Sequence, residues 1–471
     1  MQDQCAITRK ITAAAGVFAP GHLGELTQVL DFVLVDAVVA ETGAVQRRVR
    51  LLPARVVVYF VLALALFEHC GYRQVWGKLV AGLDGLGLAA PSASGLCRAR
   101  RRLGPGPLRA LFTAVSGPTG RADTPGVFWR GLRTVAVDGT CLHVRDSPRT
   151  TARFPKRSAQ TWEFGYPLLR LLVIVECGTR ALLAAAFGPE SDGERVYAGR
   201  LLGALDTAML LLADAGFDAI GFLCDVSGTG AQFLVRSSAC RIPTVTRRLP
   251  DGSALARING AWRPGHGWPV LTVRVIEAYI TVTHADGTVR TEPWRMLTSL
   301  TDHRRYPAAD LVDLYHERWQ VETAYFSIKS TILDGRVLRS QFPADIDQEI
   351  WALLAVYQAI VRTTGDAVDS RPGLDPDRAS LTVALEAARD QVVLAAGIVT
   401  DTVVLVAAIG NAVLADLLPA RRRQRAKARS RKNTTSKYAG NTGKFPQTAL
   451  SYTFDTKITI MKEGLPARPK P

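Results

Sequence analysis

The 471-residue sequence predicts a mixed α/β protein, and three observations carry that reading. Short apolar runs end in an acid at two places in the middle of the chain. A helical pattern lies between those two runs. Downstream, an uninterrupted helical stretch, Tyr315-His316-Glu317-Arg318-Trp319-Gln320-Val321-Glu322-Thr323-Ala324-Tyr325-Phe326-Ser327-Ile328-Lys329, contains neither Gly nor Pro.

Residues 1 to 125 read as helical, with apolar segments at Asp31–Asp36 and Ala54–Leu66. Pro105, Pro107, Pro118 and Pro125 then mark a boundary. Thr134-Val135-Ala136-Val137-Asp138 reads as a short strand ending in an acid, with Gly139-Thr140 turning out of it. Leu168–Glu176 and Ala181–Phe187 form a hairpin through Cys177–Arg180. A helix over Glu194–Asp206 precedes a buried strand, Ala208–Asp214, again ending in an acid. Three strands, a helix and a fourth strand is the order of a ribonuclease-H-like catalytic core. Acids at strand ends lie where ligand sites collect in α/β sheets. We assign that core to residues 126–345, interrupted at about 232–300 by a β-rich insertion with turns at Asp251-Gly252 and Asp286-Gly287. Residues 346–418 read as a helical carboxy-terminal region, and 419–471 as a basic, flexible tail.

On a helix, Arg318, Glu322 and Lys329 fall about 60°, 20° and 40° from Tyr315, so the four share one strip. Beside it, Leu314, Val321, Tyr325 and Ile328 form an apolar strip that docks the helix on a core. Asp138, Asp214 and Glu322 are far apart in sequence, but such a core would bring them together. Three clustered carboxylates repel unless a cation neutralises them. Hard oxygen donors select Mg²⁺ or Mn²⁺, and a pair of ions suits in-line displacement at phosphorus. The bland alternatives are a turn aspartate at Asp138 and a solvated, ion-paired helix face around Glu322. Asp146 reads as a turn or capping residue, and Glu317 as solvated.

A net charge of +16 points to a polyanionic partner. The basic clusters are Arg47, Arg48 and Arg50; Arg98, Arg100, Arg101 and Arg102; and the tail from Arg421 to Lys432. Seven scattered cysteines without a CxxC pair argue against a disulfide framework or a structural zinc site. The apolar run Val56–Phe67 is too short to cross a bilayer, and polar residues interrupt Val392–Leu418. The expectation is therefore no membrane association and a cytoplasmic, nucleoid-associated protein.

The run Tyr315-x2-Arg318-x3-Glu322-x6-Lys329 resembles the Y-R-E-K signature of the insertion sequence 4 family of bacterial transposases. Asp138-Gly139-Thr140 with Asp146-Ser147-Pro148 is similar to that family's first-aspartate segment. Ala213-Asp214-Ala215-Gly216-Phe217 is similar to its second, where Ala215 stands in place of a frequent arginine. The resemblance continues through Leu297–Ser299, Tyr306–Ala308, Leu338–Ser340 and Gln348–Trp351. It implies that Asp138, Asp214 and Glu322 are the metal-binding catalytic acids. It also implies that Tyr315, Arg318 and Lys329 contact the DNA backbone at the element's end. The arginines at 47, 48, 98, 100, 101 and 102 would read terminal inverted repeats, and two protomers would pair the ends. Cut-and-paste transposition follows from the resemblance alone. A degraded or domesticated DNA-binding derivative and a repair nuclease of the same fold are the alternatives.

Overall fold

The computed structural model describes residues 21–46, 51–83, 90–159, 162–237, 241–260, 269–284, 289–395, 406–420 and 454–461, with single positions 88, 267 and 287. Arg47, Arg48, Arg50 and the basic run from Arg421 to Lys432 lie outside these residues.

Five helices open the described chain: α1 (Phe32–Glu41), α2 (Ala54–Leu66), α3 (Tyr72–Val80), α4 (Ala93–Leu103) and α5 (Gly106–Val115). Asp31 accepts from the Leu34 N–H and caps α1, and Ser92 caps α4 through the Gly95 N–H. Every residue of α2 is buried, which explains a segment apolar on all sides yet short. Pro105 and Pro107 sit at the start of α5. These two therefore initiate a helix, where a missing N–H costs nothing, and only Pro118 and Pro125 fall at the domain junction.

The centre is one mixed sheet. Its first strands are β1 (Leu132–His143), β2 (Leu168–Glu176) and β3 (Leu182–Pro189). After helix α6 (Glu194–Leu201) come β4 (Met209–Ala213), helix α7 (Ile220–Gly228) and β5 (Gln232–Arg236). The strands β6 (Thr244–Arg248), β7 (Ala254–Asn259), β8 (Val270–His284) and β9 (Val289–Thr298) follow. Their spatial order is β3-β2-β1-β4-β5-β9-β8-β7-β6. Strands β1, β4 and β5 run parallel, and the other pairings are antiparallel.

Two sequence expectations change here. Residues 232–236 are the fifth strand of the core, parallel to β4, so the insertion starts after them. Strand β1 does not stop at Asp138 but continues to His143, paired with β2 throughout. The insertion also extends the core sheet, since Leu297 of β9 pairs with Val235 of β5.

Beyond the sheet, α8 (Ala308–Leu314) leads through a tight 3-10 turn at Tyr315–Arg318 into α9 (Trp319–Phe326). A wider π turn covers Ser327–Ile332. Then come α10 (Pro343–Asp369), α11 (Leu381–Val393) and α12 (Ala408–Ala415). The final strand, β10 (Phe454–Ile460), pairs with residues 278–284 of β8. This part of the expected flexible tail is thus a strand. Helices α6 and α7 pack on one face of the sheet, against Val135, Val137 and Leu211. The amino-terminal helices, α9 and α10 pack on the other, against Ala136, Leu212 and Leu234.

Candidate active site

The parallel pairing of β1 with β4 runs from Arg133↔Met209 to Ala136↔Leu212. Asp138 and Asp214 follow where the two strands part, so both carboxylates emerge at the same end of the sheet. Asp138 Oδ1 accepts from the Gly139 N–H at 2.8 Å. Asp214 Oδ1 accepts from the Gly216 N–H at 2.8 Å, which turns the chain sharply after β4.

Glu322 reaches this point from α9, and Arg318 joins the acids. Its Nη1 donates to Asp138 Oδ2 at 3.2 Å and its Nη2 to Glu322 Oε1 at 3.0 Å. The Arg318 side chain is buried and that of Glu322 is one-third exposed. Burial pushes the Asp138 carboxyl up to about 6, Arg318 and the Gly139 N–H oppose the rise, and the charges of Asp214 and Glu322 add to it. Among the described residues no three His, Cys, Asp or Glu side chains are grouped tightly enough to hold a metal ion as they stand. The guanidinium occupies the gap between two of the three acids.

Two tyrosines fix the strands that carry the aspartates. The Tyr315 hydroxyl donates to the carbonyl of Ala213, immediately before Asp214, at 3.0 Å. The Tyr325 hydroxyl donates to the carbonyl of Asp138 itself at 2.6 Å and accepts from the Val173 N–H at 3.1 Å. The family resemblance implies a DNA-backbone contact for Tyr315, but here its side chain is buried and bonds to the Ala213 carbonyl. Tyr325 belongs to the apolar strip that the sequence predicts to dock the helix, and its hydroxyl is the part that pattern does not reveal. Leu314, Val321, Tyr325 and Ile328 are indeed all buried. Lys329 stands in the π turn and donates to Thr140 Oγ1 at 3.1 Å. The stretch from 315 to 329 is therefore not one regular α-helix, and π turns of this kind recur at functional sites.

The other expectations divide. Asp146 pairs with Lys156, and Ser147 beside it caps a single helical turn. Glu317 lines a cavity of about 540 Å³ with Asp310, Asp313, Trp129 and Ile458. Arg100 is 2% exposed, and it donates to Gln348 Oε1, the Tyr72 hydroxyl, Ser340 Oγ and the Asp345 carbonyl. It ties α4 to α10 and is not placed to meet DNA. Arg98, Arg101 and Arg102 lie on the exposed side of α4, with Arg101 also pairing with Asp345.

Comparison with known proteins gives this geometry a context. A family model described as "Insertion element 4 transposase N-terminal" matches residues 20–113. A second, "Transposase DDE domain", matches residues 129–359 and so spans both aspartates and Glu322. Over 342 residues the chain is 30% identical to "Transposase InsG for insertion sequence element IS4" of Escherichia coli (strain K12). That alignment covers 72% of this chain and 76% of the relative. The chain belongs to the insertion sequence 4 family of DDE transposases. The transposase is also 25% identical over 187 residues to "Putative transposase InsZ" of the same organism, covering 39% of its own length and 61% of that protein. It is a DNA transposase, an enzyme that cleaves and transfers DNA, and DNA is its partner. Among the described residues, no helix is long and apolar enough to cross a membrane.

Proposed function

We propose that this transposase binds the terminal inverted repeats of its own insertion sequence and moves the element by cut-and-paste strand cleavage and strand transfer. In this reading the centre is a ribonuclease-H-like core, supported by the β3-β2-β1-β4-β5 order with β4 and β5 parallel to β1. Asp138, Asp214 and Glu322 are the catalytic acids. The observation that carries the proposal is the Arg318 bridge, which places one positive group between Asp138 and Glu322 beside Asp214.

The same observation tests the fit of a divalent cation. Two carboxylates that already share a guanidinium are disposed to share a metal ion, and all-oxygen donors suit Mg²⁺ or Mn²⁺. Asp138, Asp214 and Glu322 would hold it, and a pair of ions suits in-line displacement at phosphorus. Bound there, the cation supplies charge neutralisation at phosphorus and a more acidic water. The chain's own groups do the rest. Tyr315 and Tyr325 hold the two strand backbones so that the aspartates keep their spacing. Arg318 and Lys329 offer cations to the phosphates flanking the scissile bond, Arg in a bidentate manner. Arg98, Arg101 and Arg102 on α4 extend the positive surface to the repeat, and two protomers pair the element's ends.

The test is strand cleavage on DNA carrying the native flanks. Replacing Asp138, Asp214 or Glu322 by Ala is expected to abolish cleavage while a mobility-shift assay still detects binding to the repeat. Cleavage at wild-type rates in any of the three would refute the assignment. A nuclease of the same fold would cut regardless of end sequence.

A further inference from the structure

Two glycines beside the aspartates share an unexpected neighbour. A Cβ at Gly139, next to Asp138, would lie 2.9 Å from Glu194 Oε1 and 3.0 Å from its Cγ and Cδ. The missing side chain at 139 is what lets Glu194 lie against β1. A Cβ at Gly216 would lie 3.0 Å from Asp214 Oδ1 and 3.9 Å from Glu194 Oε2. The two carboxylates thus border one small space, with those oxygens no more than about 7 Å apart. Glu194 enters from α6, on the opposite face of the sheet from Glu322.

Its two oxygens are used differently. Oε1 forms an ion pair with Arg170 Nη1 at 3.1 Å, which orients the carboxylate. Oε2 points towards Gly216 and has no hydrogen bond among the described residues. The side chain is 37% exposed, so the site's solvent reaches it.

We propose that Glu194 is a fourth carboxylate of the active site, contributing Oε2 to a divalent cation held beside Asp214. This rests on the metal-dependent reading above and adds to it a residue that the aspartates and Glu322 do not account for. The competing role is structural. An acid in the first turn of a helix is favoured by the helix dipole, and Arg170 gives it an ion pair. That role predicts a change in stability and none in cation affinity.

The experiment is Mn²⁺ binding to the full chain without DNA, followed by electron paramagnetic resonance and calorimetry, with thermal unfolding alongside. Glu194→Gln keeps the side chain's size and removes its charge. Gly139→Ala keeps every carboxylate and pushes Glu194 away, at little cost to folding because only a flexible side chain must move. Both are expected to weaken Mn²⁺ binding, Glu194→Gln by roughly tenfold or more. If both variants bind Mn²⁺ as the wild type does while Asp138→Ala and Asp214→Ala bind it poorly, the inference about Glu194 is overturned alone. If Asp138→Ala and Asp214→Ala also bind normally, the metal-dependent reading fails with it.

Discussion

At the scale of single residues, the site depends on groups that hold backbone as much as on groups that carry charge. Tyr325 donates its hydroxyl to the carbonyl of the residue it positions, Asp138, and takes a bond from β2. Removing that hydroxyl leaves a buried carbonyl and a buried N–H without their partner, which costs about 1–3 kcal/mol. Tyr325→Phe is therefore expected to lower the melting temperature by a few degrees and the cleavage rate by roughly 10- to 100-fold. Affinity for repeat DNA should stay unchanged, because Tyr325 is buried away from any ligand. A variant with full cleavage activity would show that strand placement at Asp138 is not limiting. The positions of Asp138, Asp214 and Glu322 were legible in the sequence, because the two aspartates follow apolar runs and Glu322 falls within the spaced signature. Glu194 was legible only as the start of a helix. Its relation to Asp214 depends on two glycines, at 139 and 216, whose importance lies in atoms they lack. Arg100 was misread for a related reason. A run of arginines shows charge but not which member of the run faces inward, and only the fold reveals that Arg100 meets Gln348 and Ser340.

At the scale of elements, periodicity located the helices and strands, while composition misplaced some of their ends. Phe233-Leu234-Val235 has the same β-branched character as the insertion that follows, so nothing local separates the core's fifth strand from it. Gly139-Thr140 carries turn chemistry, yet nine consecutive pairings with β2 keep β1 extended through it. The segment before α1 shows what ties the amino-terminal helices together. His22 is fully buried; its Nε2 donates to the Leu79 carbonyl at the end of α3, and its Nδ1 accepts from the Gly24 N–H. The bond accepted by Nδ1 requires the neutral ring, and burial lowers its pKa from 6.5 to about 4 against the opposing pull of the Leu79 carbonyl. The unfolded chain then takes up a proton near 6.5 that the folded one refuses until about 4. Stability is full above the unfolded value and is lost as pH falls from 6.5 towards 4. At pH 5 the loss should reach about 2 kcal/mol relative to pH 7.5. Denaturant titrations of the wild type and His22→Gln at the two pH values measure it, and an identical pH response in both would dismiss His22 as the cause.

At the scale of the whole molecule, one sheet joins the strands that carry Asp138 and Asp214 to the insertion and to β10. Strand β8 is longer than either neighbour on its far side, so β7 covers residues 270–275 and β10 covers 278–284. The β10 sequence, Phe454-Asp455-Thr456-Lys457-Ile458-Thr459-Ile460, is rich in β-branched residues and places Phe454, Ile458 and Ile460 on one side, a strand pattern that the basic run before it obscured. Deleting residues 421–471 uncovers that half of β8 and leaves unpaired N–H and C=O groups along an apolar edge. The shortened protein is expected to unfold at a lower temperature and to self-associate in size-exclusion chromatography. A species that elutes as the full chain does, with unchanged melting, would contradict this.

The junction of β9 with β5 carries a last consequence, for how such an enzyme can be rebuilt. Because Met296, Leu297 and Thr298 pair with Arg236, Val235 and Leu234, the segment between residues 237 and 300 is no detachable cassette. Excising it, or grafting one from a distant relative, would strip the outer flank of the strand next to Asp214's own. Any exchange of this segment must therefore carry a replacement for β9 in the same alignment, or the Asp214 end of β4 loses its lateral support.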